Sequence, residues 1–117
     1  MSVCTKTGDG GTTFLYSGKR VLKSDRLIEV YGQLDELSSF IGLTIAKINS
    51  SYYEKILTTI QKDLYLIMSF LSEGNFDLNF LAIKTEKIEK EIRKLEKKLP
   101  QLTRFILPQG NEISCIL

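Results

Sequence analysis

Nine residues near the N-terminus, "TKTGDGGTT" at 5–13, hold most of what could do chemistry in this sequence. Three of the chain's eight glycines fall between positions 8 and 11, among four threonines, one aspartate and one lysine. One reading is a tight turn, in which glycines supply positive φ at no steric cost. The other is an anion cradle. Glycines let backbone N–H groups approach an oxyanion closely, and successive N–H groups can form an anion-binding nest. Thr5, Thr7, Thr12 and Thr13 would add hydroxyl donors, and Lys6 and Lys23 positive charge. The pattern is neither GxxxxGK[ST] nor a GxGxxG placed after a strand in a βαβ unit. Spacing alone leaves turn and cradle both open.

The rest of the composition narrows the chemistry. There is no histidine, so the commonest general base and transition-metal ligand is missing. Cys4 and Cys115 sit at opposite ends and form no CxxC pair, which argues against a zinc site and for free thiols in a reducing compartment. A net charge of +2 argues against a dedicated nucleic-acid binder. No run reaches the roughly 18 apolar residues of a membrane span, and "MSVCTKTGDGG" lacks the apolar centre of a signal peptide. The expectation is a cytoplasmic protein forming a single domain over 1–117, long enough to bury a core without staples.

The elements that must position these residues follow from periodicity. Residues 1–24 read as irregular or as a loose hairpin around the glycine-rich turn. From Ser24 or Asp25, either of which can cap a helix, Leu27, Val30, Leu34, Leu37, Ile41, Ile45 and Ile48 recur at spacings of three and four. That predicts a helix of about 24 residues, broken by "NSS" at 49–51. A second helix is predicted from Ser51 to Leu71, its stripe formed by Tyr53, Ile56, Ile60, Leu64, Ile67, Met68 and Leu71. "SEGNFDLN" at 72–79 reads as a loop. A third helix is predicted from Leu81 to Leu99 with Ile88, Ile92, Leu95 and Leu99 facing inward. Glu86–Lys90 and Glu89–Arg93 are favourable i,i+4 pairs on its outer, solvated side. Pro100 ends it, an extended connector follows, and Asn111 is placed to cap another helix with Glu112 in its first turn. The sequence announces that helix and stops inside it. The expectation is a longer natural protein represented by its N-terminal part, or a remnant gene product.

Five segments occur in order: "TKTGDGGTT", "GKRVLKSD", "VYGQLDELSSFIG", "IQKDLYLI" and "LPQLTRFILPQGNEIS". Together they resemble the PduO-type ATP:cob(I)alamin adenosyltransferases over nearly the whole chain. The resemblance implies an all-α, up-and-down five-helix bundle with an irregular Gly-rich N-terminal segment. It implies a homotrimer with active sites between subunits, and transfer of the 5′-deoxyadenosyl group of ATP to the cobalt of cob(I)alamin with release of triphosphate. It places Thr5, Lys6, Thr7 and Gly8 on the ATP phosphates and Thr13 and Lys23 on the nucleotide, with a Mg²⁺ ion accompanying ATP. Asp35 matches an aspartate that pairs across subunits with an arginine on the last helix, near the corrin site. Phe105 matches a phenylalanine that faces the corrin ring on the lower side of the cobalt and favours a four-coordinate metal. Taken alone, Asp35 reads as a surface carboxylate and Phe105 as a core aromatic. Gly32, Ser38, Ser39 and Gly42 are small residues that would permit close approach of a helix or a ligand.

The resemblance makes sense of the missing histidine. Cob(I)alamin is itself a strong nucleophile, so attack on the 5′-carbon needs no proton abstraction. The protein's work is alignment and stabilisation of the leaving triphosphate. Two departures stand out. The arginine-rich stretch resembling RRAER that binds ATP in the family is absent from these 117 residues, and "LPQGN" carries Gln109 where many members have a second glycine. The first motivates an alternative, a non-catalytic protein of the same fold that binds or carries ATP or adenosylcobalamin. A helical-bundle interaction module is the third reading, and it makes no use of the glycine-rich stretch. A flavin-dependent reductase and an adenosylcobalamin-dependent enzyme are the expected partners.

Overall fold

The structure, a computed structural model, describes residues 2–73 and 79–116. Its N-terminal segment is more regular than the sequence suggests. Strands β1 (Thr12–Phe14) and β2 (Arg20–Leu22) pair antiparallel, with Thr13 opposite Val21 and Phe14 opposite Arg20. Gly18, at φ 83°, turns the chain between them, and such a left-handed backbone costs glycine little.

Helix α1 runs Arg26–Lys47. Of the two possible caps it uses Asp25, whose carboxylate accepts from the Leu27 N–H at 2.8 Å. Glu29 in the first turn and Lys47 in the last complement the helix dipole. Helix α2 runs Ser51–Ser72, capped by Ser50, so the break at 49–51 is a tight antiparallel turn. The two helices pack on Ile41 and Leu64, both nearly fully buried, each contributing about 1.5–3 kcal/mol. Gln61 of α2 donates to the Ser38 carbonyl of α1 at 2.8 Å. Gly42 makes room for it, since a β-carbon there would stand 3.2 Å from the Gln61 amide nitrogen. Thr44, the most buried of the described residues, satisfies its hydroxyl on the Phe40 carbonyl. Val30 and Leu37, counted in the apolar stripe, are exposed because α2 covers only one side of it.

Helix α3 (Phe80–Glu96) returns along α2. The rings of Phe70 and Phe80 meet at 5.3 Å, Lys84 pairs with Asp63 at 2.9 Å, and the Tyr52 hydroxyl donates to Glu91 at 2.5 Å. These three pairs set α3 antiparallel to α2. Most of the expected 72–79 loop, residues 74–78, lies outside the described residues. Two expectations for α3 need correction. It ends at Glu96 rather than Leu99, because its last turn tightens to i→i−3 bonds, Lys98 N–H to Leu95 and Leu99 N–H to Glu96, before a proline that disfavours helical backbone at the residue ahead of it. Its inward face is not buried either: Ile88, Ile92 and Leu95 remain exposed. With Ile56, Ile60 and Ile113 they line an open apolar groove of about 510 Å³.

Helix α4 (Glu112–Ile116) begins where expected. The Asn111 side chain accepts from the Ile113 N–H at 2.9 Å, and Lys47 holds Glu112 at 2.6 Å, fastening α4 to the end of α1. No helix among the described residues is long and apolar enough to cross a membrane.

Candidate functional site

The glycine-rich stretch folds as a loop ahead of β1, and the two readings of it turn out to be compatible. Its turn character is real: Lys6 has φ 58°, Gly11 φ 86°, the Asp9 N–H returns to the Lys6 carbonyl and the Gly11 N–H to the Gly8 carbonyl. Gly10 has neither a positive φ nor a close neighbour. Gly8 is different. A β-carbon on it would stand 2.9 Å from the Thr12 carbonyl oxygen and 3.1 Å from both Cε and Nζ of Lys23. Distances under about 3.0 Å to backbone do not occur, so only glycine fits. The ammonium group of Lys23 therefore lies directly on the loop, carried there by the turn that follows β2. The Lys23 N–H also bonds the Gly11 carbonyl at 2.9 Å, closing the hairpin behind it.

The loop leaves donors unused. Among the described residues, the N–H groups of Lys6, Thr7, Gly8 and Gly10 donate to no protein acceptor. The hydroxyls of Thr5 and Thr7 touch at 3.0 Å. Thr5, Lys6, Thr7 and Lys23 are exposed, and Thr13 is half-buried in β1. Free amides, hydroxyls and the Lys23 ammonium gathered on one small surface suit a polyanion.

Sequence reasoning missed Arg20. Its guanidinium donates to the Thr7 carbonyl at 3.2 Å and to the Thr12 hydroxyl, and it lies over the Phe14 ring, 4.2 Å from the centroid. The signal that could have found it is "GKRVLKSD" itself. A strand residue three before Lys23 returns to the loop as soon as the hairpin forms.

Ser72 ties the hairpin to the bundle, its hydroxyl accepting from the Tyr16 N–H at 2.6 Å. A cleft of about 400 Å³ opens there, lined by Phe14, Tyr16, Tyr31, Tyr65 and Met68.

The remaining expected site residues lie apart from the loop in this chain. Asp35 is exposed on α1, and no side chain among the described residues pairs with its carboxylate. Its backbone carbonyl also accepts from the Ser39 hydroxyl at 2.9 Å. Phe105 lies in the connector between α3 and α4 and is 90% exposed, so the core reading of this aromatic is wrong. Gly110, at φ 114°, supplies the left-handed turn that ends the connector, and Gln109 does not disturb it. Gly42 serves helix packing through Gln61, whereas Gly32 faces open space.

What fold and loop define is an antiparallel helical bundle with a lysine-covered glycine loop at its entry. The chain belongs to the cobalamin adenosyltransferase family, which matches residues 3–117. A corrinoid adenosyltransferase of Citrobacter freundii is 32% identical over 98% of this chain and 68% of its own length. The one from Bacillus subtilis is 34% identical over 100% of this chain and 63% of its own. The fold also matches a PduO-type ATP:corrinoid adenosyltransferase from Lactobacillus reuteri, a phenylalanine-to-alanine variant complexed with cobalamin and ATP. The TM-score is 0.85 at 26% identity, covering 98% of this chain and 67% of that one. The longer PduO corrinoid adenosyltransferase of C. freundii is spanned over only 35% of its length. The chain thus corresponds to about a third to two-thirds of the relatives it matches.

Proposed function

We propose that the protein transfers the 5′-deoxyadenosyl group of ATP to the cobalt of cob(I)alamin, releasing triphosphate and forming adenosylcobalamin. The observation that carries this reading is Lys23 lying on Gly8 in a loop whose amides at Lys6, Thr7, Gly8 and Gly10 have no protein acceptor. Family membership supports it, as does the match to a structure complexed with cobalamin and ATP.

The chemistry asks little of the protein. The substrate's cobalt supplies the electron pair that forms the Co–C5′ bond; as the C5′–O bond breaks, triphosphate leaves with the electron pair of that broken bond. No proton moves, which suits a chain without histidine. Thr5, Lys6, Thr7 and Gly8 bind the phosphates, Thr13 and Lys23 complete the nucleotide contacts, and the charge that gathers on the leaving group is met by donors already in place. A Mg²⁺ ion bound with ATP would be held mainly through phosphate oxygens and would offset charge on the triphosphate. The loop suits a phosphate-bound ion, because it offers the phosphates hydroxyls and amides that no protein acceptor takes among the described residues.

Asp35 and Phe105 are assigned to the corrinoid half of the site. Both are exposed and have no side-chain partner among the described residues, which agrees with groups whose neighbours come from another subunit and from substrate. The reading therefore includes a homotrimer with sites between subunits. It also includes a cytoplasmic setting in which the two exposed cysteines stay reduced, a reductase that delivers cobalt(I), and an enzyme that consumes adenosylcobalamin. The test is anaerobic mixing of the protein with ATP and chemically reduced cob(I)alamin, followed by absorbance. ATP-dependent appearance of the light-sensitive adenosylcobalamin spectrum over multiple turnovers is expected. Binding of both substrates with no transfer would contradict it and favour a carrier of the same fold.

A further inference from the structure

We propose, on the ATP-binding reading of the loop, that Arg20 is a positioning residue: it turns the Thr7–Gly8 peptide so that its N–H faces a bound polyphosphate. Three anchors fix the guanidinium. It donates to the Thr7 carbonyl at 3.2 Å, donates to the Thr12 hydroxyl through the same nitrogen, and lies over the ring of Phe14, its cross-strand neighbour, at 4.2 Å. A peptide group is planar and trans, so a carbonyl and the N–H that follows it point in opposite directions. With the Thr7 carbonyl turned onto Arg20, the Gly8 N–H points away from Arg20. No acceptor among the described residues takes it, and the Lys23 ammonium stands beside the same glycine. The adjoining Lys6 backbone, at φ 58°, is in a left-handed conformation that a lysine adopts only when its surroundings hold it there. Holding the next carbonyl is a direct way to do so.

This role needs the shape of arginine and not its charge alone. Lysine offers a point charge on a flexible stem, without the planar guanidinium that stacks on an aromatic face while one of its nitrogens bonds two acceptors. Arg20 differs in this from Lys23, whose side chain meets the loop through its ammonium end.

The test is calorimetric titration of inorganic tripolyphosphate, and separately of ATP, into wild type, Arg20→Lys, Arg20→Met and Phe14→Leu. Arg20→Lys is expected to weaken tripolyphosphate binding about tenfold, nearly as much as Arg20→Met, because it forfeits the stacked planar geometry that holds both hydrogen bonds in place. Phe14→Leu, which removes only the stacking, is expected to weaken it about threefold. The salt dependence of binding should be unchanged in Arg20→Lys, which keeps the charge. In turnover the KM for ATP should rise while the KM for the corrinoid does not, a split that general unfolding would not produce. Wild-type affinity in Arg20→Lys would overturn the proposal. If that variant does not fold, wild-type affinity in Phe14→Leu would overturn it instead. Failure of the wild type to bind either probe would remove the ATP reading itself, and this inference with it.

Discussion

The ammonium nitrogen of Lys23 lies 3.1 Å from the point that a β-carbon on Gly8 would occupy. The two residues are fifteen positions apart in sequence and are brought together by one short hairpin. The contact explains both identities: glycine because nothing larger fits beneath the lysine, and lysine because the loop's free amides and its charge converge on one surface.

Lys23→Ala should leave the fold intact, since the residue is exposed, and weaken ATP binding. Loss of a charge-assisted contact of about 1.5–3 kcal/mol corresponds to a roughly ten- to hundredfold rise in Kd. Calorimetry at fixed salt checks it.

Gly8→Ala should act on the same binding from the backbone side. The added carbon would meet the Thr12 carbonyl at 2.9 Å, so the loop must shift. Alanine here is expected to weaken ATP binding about as much as loss of Lys23 does, while Gly10→Ala, whose new carbon meets nothing within 4 Å, stays close to wild type. Equal effects at the two glycines would remove the argument from close approach.

How far these features could be read in advance differs by element. Helices α1 and α2 were legible because their apolar residues keep a helical period and Asp25 and Ser50 are good caps. The glycine loop and Lys23 could be named as candidates, yet their contact depends on a hairpin whose strands are three residues each, too short to show alternation. Arg20 stayed hidden for the same reason. The burial of α3 was misjudged because periodicity tells which residues share a face and not whether another element covers it. Phe105 shows the same limit: an aromatic among leucines reads as core, and only the path of the connector leaves it in solvent.

Phe105→Ala should therefore cost less than about 0.5 kcal/mol of folding stability, as for other exposed positions. ATP affinity should stay near wild type while turnover starting from cob(II)alamin slows. Equal turnover in variant and wild type would remove the role assigned to the ring.

Asp35→Asn should likewise change the folding stability of the isolated subunit by no more than about 0.5 kcal/mol, the range of surface substitutions. Corrinoid adenosylation should fall, and sedimentation should show weakened subunit association if the carboxylate meets a cation across the interface.

Where α2 meets α3, Lys94 and then Tyr52 hydrogen-bond to Glu91 and hold its carboxyl below the usual carboxylate range, while Glu91 raises both the Tyr52 hydroxyl and the Lys94 ammonium. A lowered acid contributes stability that is present above its unfolded value and lost as pH falls through the folded one. Raised groups contribute below their unfolded values and lose it as pH rises through the folded ones. The contact should thus hold from mildly acidic to mildly alkaline pH and weaken at both extremes. The difference in thermal midpoint between wild type and Tyr52→Phe should shrink as acid protonates Glu91. A difference independent of pH would contradict this.

The most direct measurement of the central claim is single-turnover ³¹P NMR of ATP with the protein and cob(I)alamin under anaerobic conditions. Intact triphosphate appearing in equal amount with adenosylcobalamin is expected, because the only bond of ATP that breaks is C5′–O. Release of diphosphate or orthophosphate in place of triphosphate, or loss of ATP without a Co–C bond, would contradict the account.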